Sequence, residues 1–191
     1  MILSDRDLKA AIRSGRLKFS PELLPAQIGP ASIDLRLSTD FKVFKTSYVA
    51  LLDPKEGFPG DIMLDARRVP ATKPFILHPG DFVLASTMER ITVPDDMVVR
   101  VEGKSTLARM GILVHTAGFV DPGFSGNITL EISNQSNVAI ALYPGMYICQ
   151  VAAHRLSSPA EVPYNRRKRS AYRTANAKGT VVASPKNLFP K

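Results

Sequence analysis

Residues 127–133 read Asn127-Ile128-Thr129-Leu130-Glu131-Ile132-Ser133. The alternation puts Ile128, Leu130 and Ile132 on one side and Thr129, Glu131 and Ser133 on the other, the period of a half-buried strand. Taken alone, this is an ordinary strand with a polar outer face. The eleven residues in front of it, Thr116-Ala117-Gly118-Phe119-Val120-Asp121-Pro122-Gly123-Phe124-Ser125-Gly126, change that reading. Three glycines and a proline let backbone approach a ligand closely, and a carboxylate, Asp121, stands just before the turn.

The same strand-and-turn rhythm extends in both directions. Short runs of strand character cover 32–37, 75–77, 82–88, 97–102, 138–142 and 147–156, punctuated by His78-Pro79-Gly80, Asp121-Pro122-Gly123 and Tyr143-Pro144-Gly145. Fifteen prolines and twelve glycines among 191 residues fit many short strands, so the expected class is mainly β, a barrel or sandwich with a helix or two appended. Two stretches read as helix. Ser4-Asp5-Arg6-Asp7 ahead of Leu8, Ala11 and Ile12 resembles a capping box, with Ser14-Gly15 as the stop. Ser105-Thr106-Leu107-Ala108-Arg109-Met110-Gly111 reads as one or two turns ending at a glycine, with Ser105 and Arg109 on one face.

The length fits one domain, 1–191, and 45% hydrophobic residues suffice for a core. No apolar run reaches the roughly 18 residues of a membrane span, and the N-terminus lacks an apolar signal region. The single cysteine, Cys149, cannot form an internal disulfide, which fits the cytoplasm. Net charge is +8, but residues 161–191 hold eight Lys/Arg against one Glu, +7 of that total. A duplex-binding protein spreads its basic residues over a folded face, so no nucleic-acid partner is expected. The stretch 157–191 reads either as a solvated basic tail or as a flexible arm that closes over a polyanion such as a triphosphate.

Two kinds of chemistry fall away on spacing. Gly103-Lys104-Ser105-Thr106 looks like the end of a phosphate-binding P-loop, but the first glycine of that motif would fall at Val98, and the strand–long helix context is missing. His78, His115 and His154 are scattered, His115 in what reads as a loop, and one cysteine cannot supply the ligands of a zinc deaminase. An enzyme here would activate water with a carboxylate.

The runs Gly103–Gly111, Thr116–Gly126 and Ile128–Asn134 closely resemble the dCTP deaminase family of the trimeric dUTPase superfamily. So do Ser32-Ile33-Asp34-Leu35-Arg36, His78-Pro79-Gly80, Tyr143-Pro144-Gly145-Met146 and Pro163-Tyr164-Asn165, in that order along nearly the whole chain. The resemblance implies a dUTPase-like distorted, jelly-roll-like β-barrel with a short N-terminal helix and one short internal helix. It implies a homotrimer with shared active sites, dCTP or dUTP as small-molecule substrate, dTTP as feedback ligand, and Mg²⁺ carried by the triphosphate with no zinc. Residue by residue, Glu131 matches the glutamate that activates water at cytosine C4. Ser105 and Arg109 match the pair that holds glutamate, water and base, and Ala117 offers a carbonyl to the water and amino group. Asp121 matches the residue on the 3′-hydroxyl, Lys104 and Gln150 the phosphate side, and Tyr164 a tail residue closing over the nucleotide. Thr106, Leu107, Ala108, Thr129 and Leu130 complete the implied nucleotide-binding set.

Two features depart from the family pattern. The loop between Gly111 and Gly118 is one residue short, around His115-Thr116. In the tail, the family's lysine and glutamine are replaced by Ala171 and Ala175, leaving Arg169, Arg173 and Asn176 as candidate substitutes. The expected activity is deamination of dCTP with release of dUTP. The alternative is a bifunctional enzyme that continues to dUMP and pyrophosphate, which Thr116-Ala117-Gly118-Phe119 with Asp121 resembles more. A non-catalytic nucleotide-binding module is the third reading.

Overall fold

The computed structural model describes residues 1–44, 51, 53, 55, 63–115 and 118–168. Helix α1 (Asp5–Arg13) buries Leu8 and Ala11, with Asp5 and Asp7 in its first turn and Arg13 in its last, both favourable to the helix dipole. Ser4 caps it through backbone only. Its side chain makes no capping bond, contrary to the capping-box reading, and the reciprocal arm of that motif is missing too, since N3 holds Asp7 rather than Glu or Gln. The left-handed Gly15 (φ 69°) follows the end of the helix, as expected.

The rest is strand: β1 (Lys18–Ser20), β2 (Ile33–Arg36), β3 (Asp40–Phe44), β4 (Met63–Arg68), β5 (Phe75–Leu77), β6 (Phe82–Thr92) and β7 (Met97–Gly103). Helix α2 (Ser105–Ala108) precedes β8 (Ile112–His115), β9 (Phe119–Val120), β10 (Ser125–Asn134), β11 (Ile140–Leu142) and β12 (Tyr147–Arg155). One sheet runs β4-β3-β6-β10-β8, with β1 also on β6; a second runs β2-β12-β7-β9; β11 and β5 make a third. The mainly β class with two helices is as expected. All the pairings among these strands are antiparallel.

Several boundaries differ from the reading. Strand β6 continues past Met88 to Thr92, carried by alternating buried Thr87, Glu89 and Ile91. Strand β11 starts at Ile140 rather than Val138, because the Val138 carbonyl is taken by the side chain of Asn134. Strands β1, β3, β4, β8 and β9 were not read, and His115 closes a strand rather than lying in a loop. Short or charged segments gain their pairing from neighbours rather than from their own alternation.

The apolar faces of the strands, with Leu8 and Ala11 of α1, meet in one buried cluster. Asn134, fully buried, ties its edge together. Its Nδ2 donates to the carbonyls of Leu77 (3.0 Å) and Val138 (2.8 Å), and its Oδ1 accepts from Ser136 N (2.9 Å) and Oγ (2.7 Å). Next to it, Gln135 N donates to Gly111 O at 2.7 Å. Gly111 sits at φ 88°, where an added Cβ would lie 2.6 Å from Ser136 Cβ. The start of β8 is thereby fastened to the end of β10. Asn134→Ala strands several buried polar groups and is expected to cost about 2–3 kcal/mol, read as a lower urea midpoint at unchanged m-value.

Candidate active site

Glu131 lies in β10 between Leu84 of β6 and His115 of β8. Lys42 of β3 pairs with Leu84, so Lys42, Leu84, Glu131 and His115 form one row across four strands on a common face. Burial raises the Glu131 carboxyl above the ordinary carboxylate range, opposed by its own backbone amide and by His115. Among the described residues, its Oε2 is buried without a hydrogen-bond partner. A buried carboxylate oxygen with no partner is an acceptor available to water.

Raised pKa carries a stability cost. Ionising Glu131 is harder folded than unfolded, so its favourable contribution is present below its unfolded pKa and lost as pH rises through the folded one. Glu131→Gln is therefore expected to melt higher than the parent near neutral pH, with the gap closing as pH falls below the ordinary glutamate range. Thermal melts across pH check this, and a variant that melts lower at neutral pH refutes it.

A second group of polar side chains lies on the β2-β12-β7 sheet. Lys104 Nζ donates to Asp34 Oδ1 at 2.6 Å and stands 5.7 Å from the Tyr147 ring centroid. Gln150 pairs with Asp34 on one side and Glu102 on the other, and Ser32 Oγ lies 3.4 Å from its Oε1. Lys104 and Asp34 keep about a fifth of their side-chain surface exposed, so an anion can reach the ammonium in competition with Asp34. Underneath, Glu89 is fully buried and accepts from Arg36 Nε (2.6 Å), Arg36 N (2.8 Å) and Gln27 Nε2 (3.0 Å). Cys149 is buried below these carboxylates, its thiol pushed up to about 12 by burial first and then by Glu89 and Asp34. It is inert.

A third group forms at the Asp121 turn. Tyr164 N donates to Pro122 O at 2.7 Å, and its ring lies 5.6 Å from Phe124. Gly123 (φ 78°) leaves room for this, since a Cβ there would meet Pro163 Cβ at 2.8 Å and Asn165 Oδ1 at 2.9 Å. The chain after β12 thus folds back onto the turn that carries Asp121.

The family model for dCTP deaminase-like proteins matches residues 2–156. The chain belongs to the dCTP deaminase-like family. A protein of Dictyoglomus thermophilum named dCTP deaminase, dUMP-forming, is 50% identical over 185 residues, 96% of this chain and 94% of the relative. One of the same name from Thermobifida fusca is 54% identical over 165 residues, 86% of this chain and 83% of the relative. Among solved structures, the 2′-deoxycytidine 5′-triphosphate deaminase of Agrobacterium tumefaciens superposes with a TM-score of 0.63 at 25% identity. That match covers 82% of this chain, which spans 49% of the length of the solved one.

In this dCTP deaminase-like chain the residues marked by the resemblance fall into separate places. Lys104 and Gln150 come together, as do Asp121 and Tyr164. Ser105 and Arg109 do not reach Glu131. They are exposed, with no hydrogen bond or ion pair to it, on or just after a helix that packs against β8. That helix joins β8 at its Ile112 end, whereas Glu131 pairs three residues on at His115, about 10 Å along the strand. Thr106 and Ala108 are exposed beside them. Leu107 and Leu130 are buried, so a ligand contact there is left to backbone, and Thr129 shares the face of Glu131. Ala117, Arg169, Arg173 and Asn176 lie outside the described residues. Asp34, Glu89 and His115 were missed as site neighbours. A glutamate at an inward position of β6, two residues after an inward threonine, was a legible signal for the second, since it demands a cationic partner.

Proposed function

We propose that the chain converts dCTP through dUTP to dUMP and pyrophosphate, as a bifunctional deaminase and diphosphatase. This adopts the alternative over released dUTP, because relatives at about half identity carry the name dUMP-forming. The observation that carries the deamination step is the buried, partnerless Oε2 of Glu131. Glu131 takes a proton from water as the oxygen adds to cytosine C4, then returns protons to the ring and the departing ammonia. A second water then attacks the α-phosphorus and breaks the α–β bridge, with Asp121 as its base.

Ser105 and Arg109 complete the site from an adjacent copy in a homotrimer. Their exposure supports this, as do Met110, Leu113 and Phe119, large apolar side chains left uncovered nearby. Lys104 and Gln150 hold phosphate oxygens, and Tyr164 begins a basic lid whose later members include Arg169, Arg173 or Asn176. Among the described residues no three His, Cys, Asp or Glu side chains cluster to hold a metal. Mg²⁺ therefore arrives on the triphosphate, whose oxygens suit it, and neutralises phosphate charge when bound. No zinc is used, dTTP is the feedback ligand, and the enzyme works in the cytoplasm.

A timed reaction on dCTP with Mg²⁺, resolved by anion exchange, tests the reading. Stoichiometric dUMP and pyrophosphate without accumulating dUTP is the expected result. Accumulating dUTP returns the chain to the deaminase-only reading, and unconsumed dCTP to a binding module. Zinc-selective chelation should leave the rate unchanged, and stoichiometric zinc tracking activity would overturn that part.

A further inference from the structure

His115 has no part in the reaction as drawn. It ends β8 directly opposite Glu131, its Nε2 lies 3.1 Å from Ser133 Oγ, and its ring is 5.9 Å from that of Phe82. Ser133 is buried and accepts from Gln135 Nε2 at 2.9 Å. A hydroxyl has one proton and two acceptor sites. Ser133 can therefore take the Gln135 proton and still serve the imidazole in either state, donating to a neutral Nε2 or accepting from a protonated one. The ring gains or loses its charge without losing its tether. Directly opposite residues of an antiparallel pair stand about 4.5–5.5 Å apart at Cβ, so that charge acts on the carboxylate at short range.

We propose that His115 is a positioning residue: tethered by Ser133, it sets a switchable positive charge against Glu131 and so fixes the acidic limit of deamination. The proposal rests on the reading of Glu131 as the base. The other groups around the pair do not compete for this task. From β6, Leu84 and Phe82 do not titrate. Lys42 of β3 stands beyond Leu84, two strand spacings or about 10 Å from Glu131. Arg109 of the same copy, after α2, is exposed and bonded to neither, and the Arg109 that an adjacent copy brings to the site keeps its charge at every pH, so it is a constant background and not a switch. Burial favours the neutral acid form of Glu131, and His115 opposes it. A protonated imidazole at this position favours the carboxylate. Without it the base is protonated, and lost, at a higher pH.

The experiment is the pH profile of kcat/KM for dCTP deamination in the full-length enzyme, with an NMR titration of the Glu131 carboxyl as a readout besides rate. His115→Gln keeps a hydrogen-bonding side chain without the charge. It is expected to move the acidic limb and the carboxyl midpoint to higher pH, costing several-fold in rate on the acidic side while the plateau holds. Ser133→Ala should shift the limb the same way, and Ser133→Thr, which restores the hydroxyl, should return it. An unmoved limb and midpoint in His115→Gln, or a fall equal at every pH, overturns the proposal. Near-parental turnover in Glu131→Gln would instead sink the base reading beneath it. A dead Glu131→Gln with an unmoved limb in His115→Gln sinks the positioning role alone.

Discussion

Glu131→Gln is expected to deaminate dCTP about 10²–10⁴-fold more slowly than the parent while binding nucleotide with little change. The amide is isosteric and keeps a hydrogen-bond acceptor toward the row of Lys42, Leu84 and His115, so the face it occupies in β10 is preserved. What disappears is the group proposed to exchange a proton with water. Steady-state rates combined with a calorimetric titration of nucleotide into the variant separate the two effects. A variant that turns over at the parental rate removes Glu131 from the chemistry, and one that loses binding equally makes it a recognition residue.

Asp121→Asn is expected to uncouple the two halves of the reaction. In the proposed reading Asp121 also meets the sugar 3′-hydroxyl, and an amide carbonyl would still accept from it, so binding and deamination should persist. Without a carboxylate to deprotonate the second water, cleavage at the α-phosphorus should slow by about 10²-fold or more. The signature is an intermediate: dUTP should build up in a reaction where the parent shows none. If dUMP and ammonia fall together, Asp121 serves binding only and the base for the second water lies elsewhere.

The strands that carry the site were legible where one face is buried. The alternation through Ile128, Leu130 and Ile132 reads directly as β10 and puts Glu131 on the opposite side. Proline–glycine turns mark the ends of β5, β9 and β11 and the starts of β6, β10 and β12. Ile112–His115 was not legible, because a four-residue strand after a glycine has no period to detect; it exists through pairing with β10. That miss hid His115, and with it the imidazole opposite the glutamate. Ser105 begins a short helix as read, and Arg109 falls just past its end, but four-residue spacing fixes a shared face and says nothing of what it meets. The Lys104–Asp34 contact joins residues 70 positions apart, and the order of strands in a sheet sets that meeting, not any local pattern.

The fastening of β8 to β10 also bears on how this chain tolerates a change of length. Moving a strand by one residue sends every side chain to the opposite face, which here would turn Glu131 toward the core and Ile132 outward. The ladder from Ile112–Asn134 to His115–Glu131, latched at its far end by Gly111 and Asn134, resists that slippage. The one-residue shortening that the sequence suggests against the family pattern falls around His115-Thr116, at the very end of the paired segment. A deletion there falls beyond the ladder that fixes the register, so the carboxylate keeps its side of the sheet.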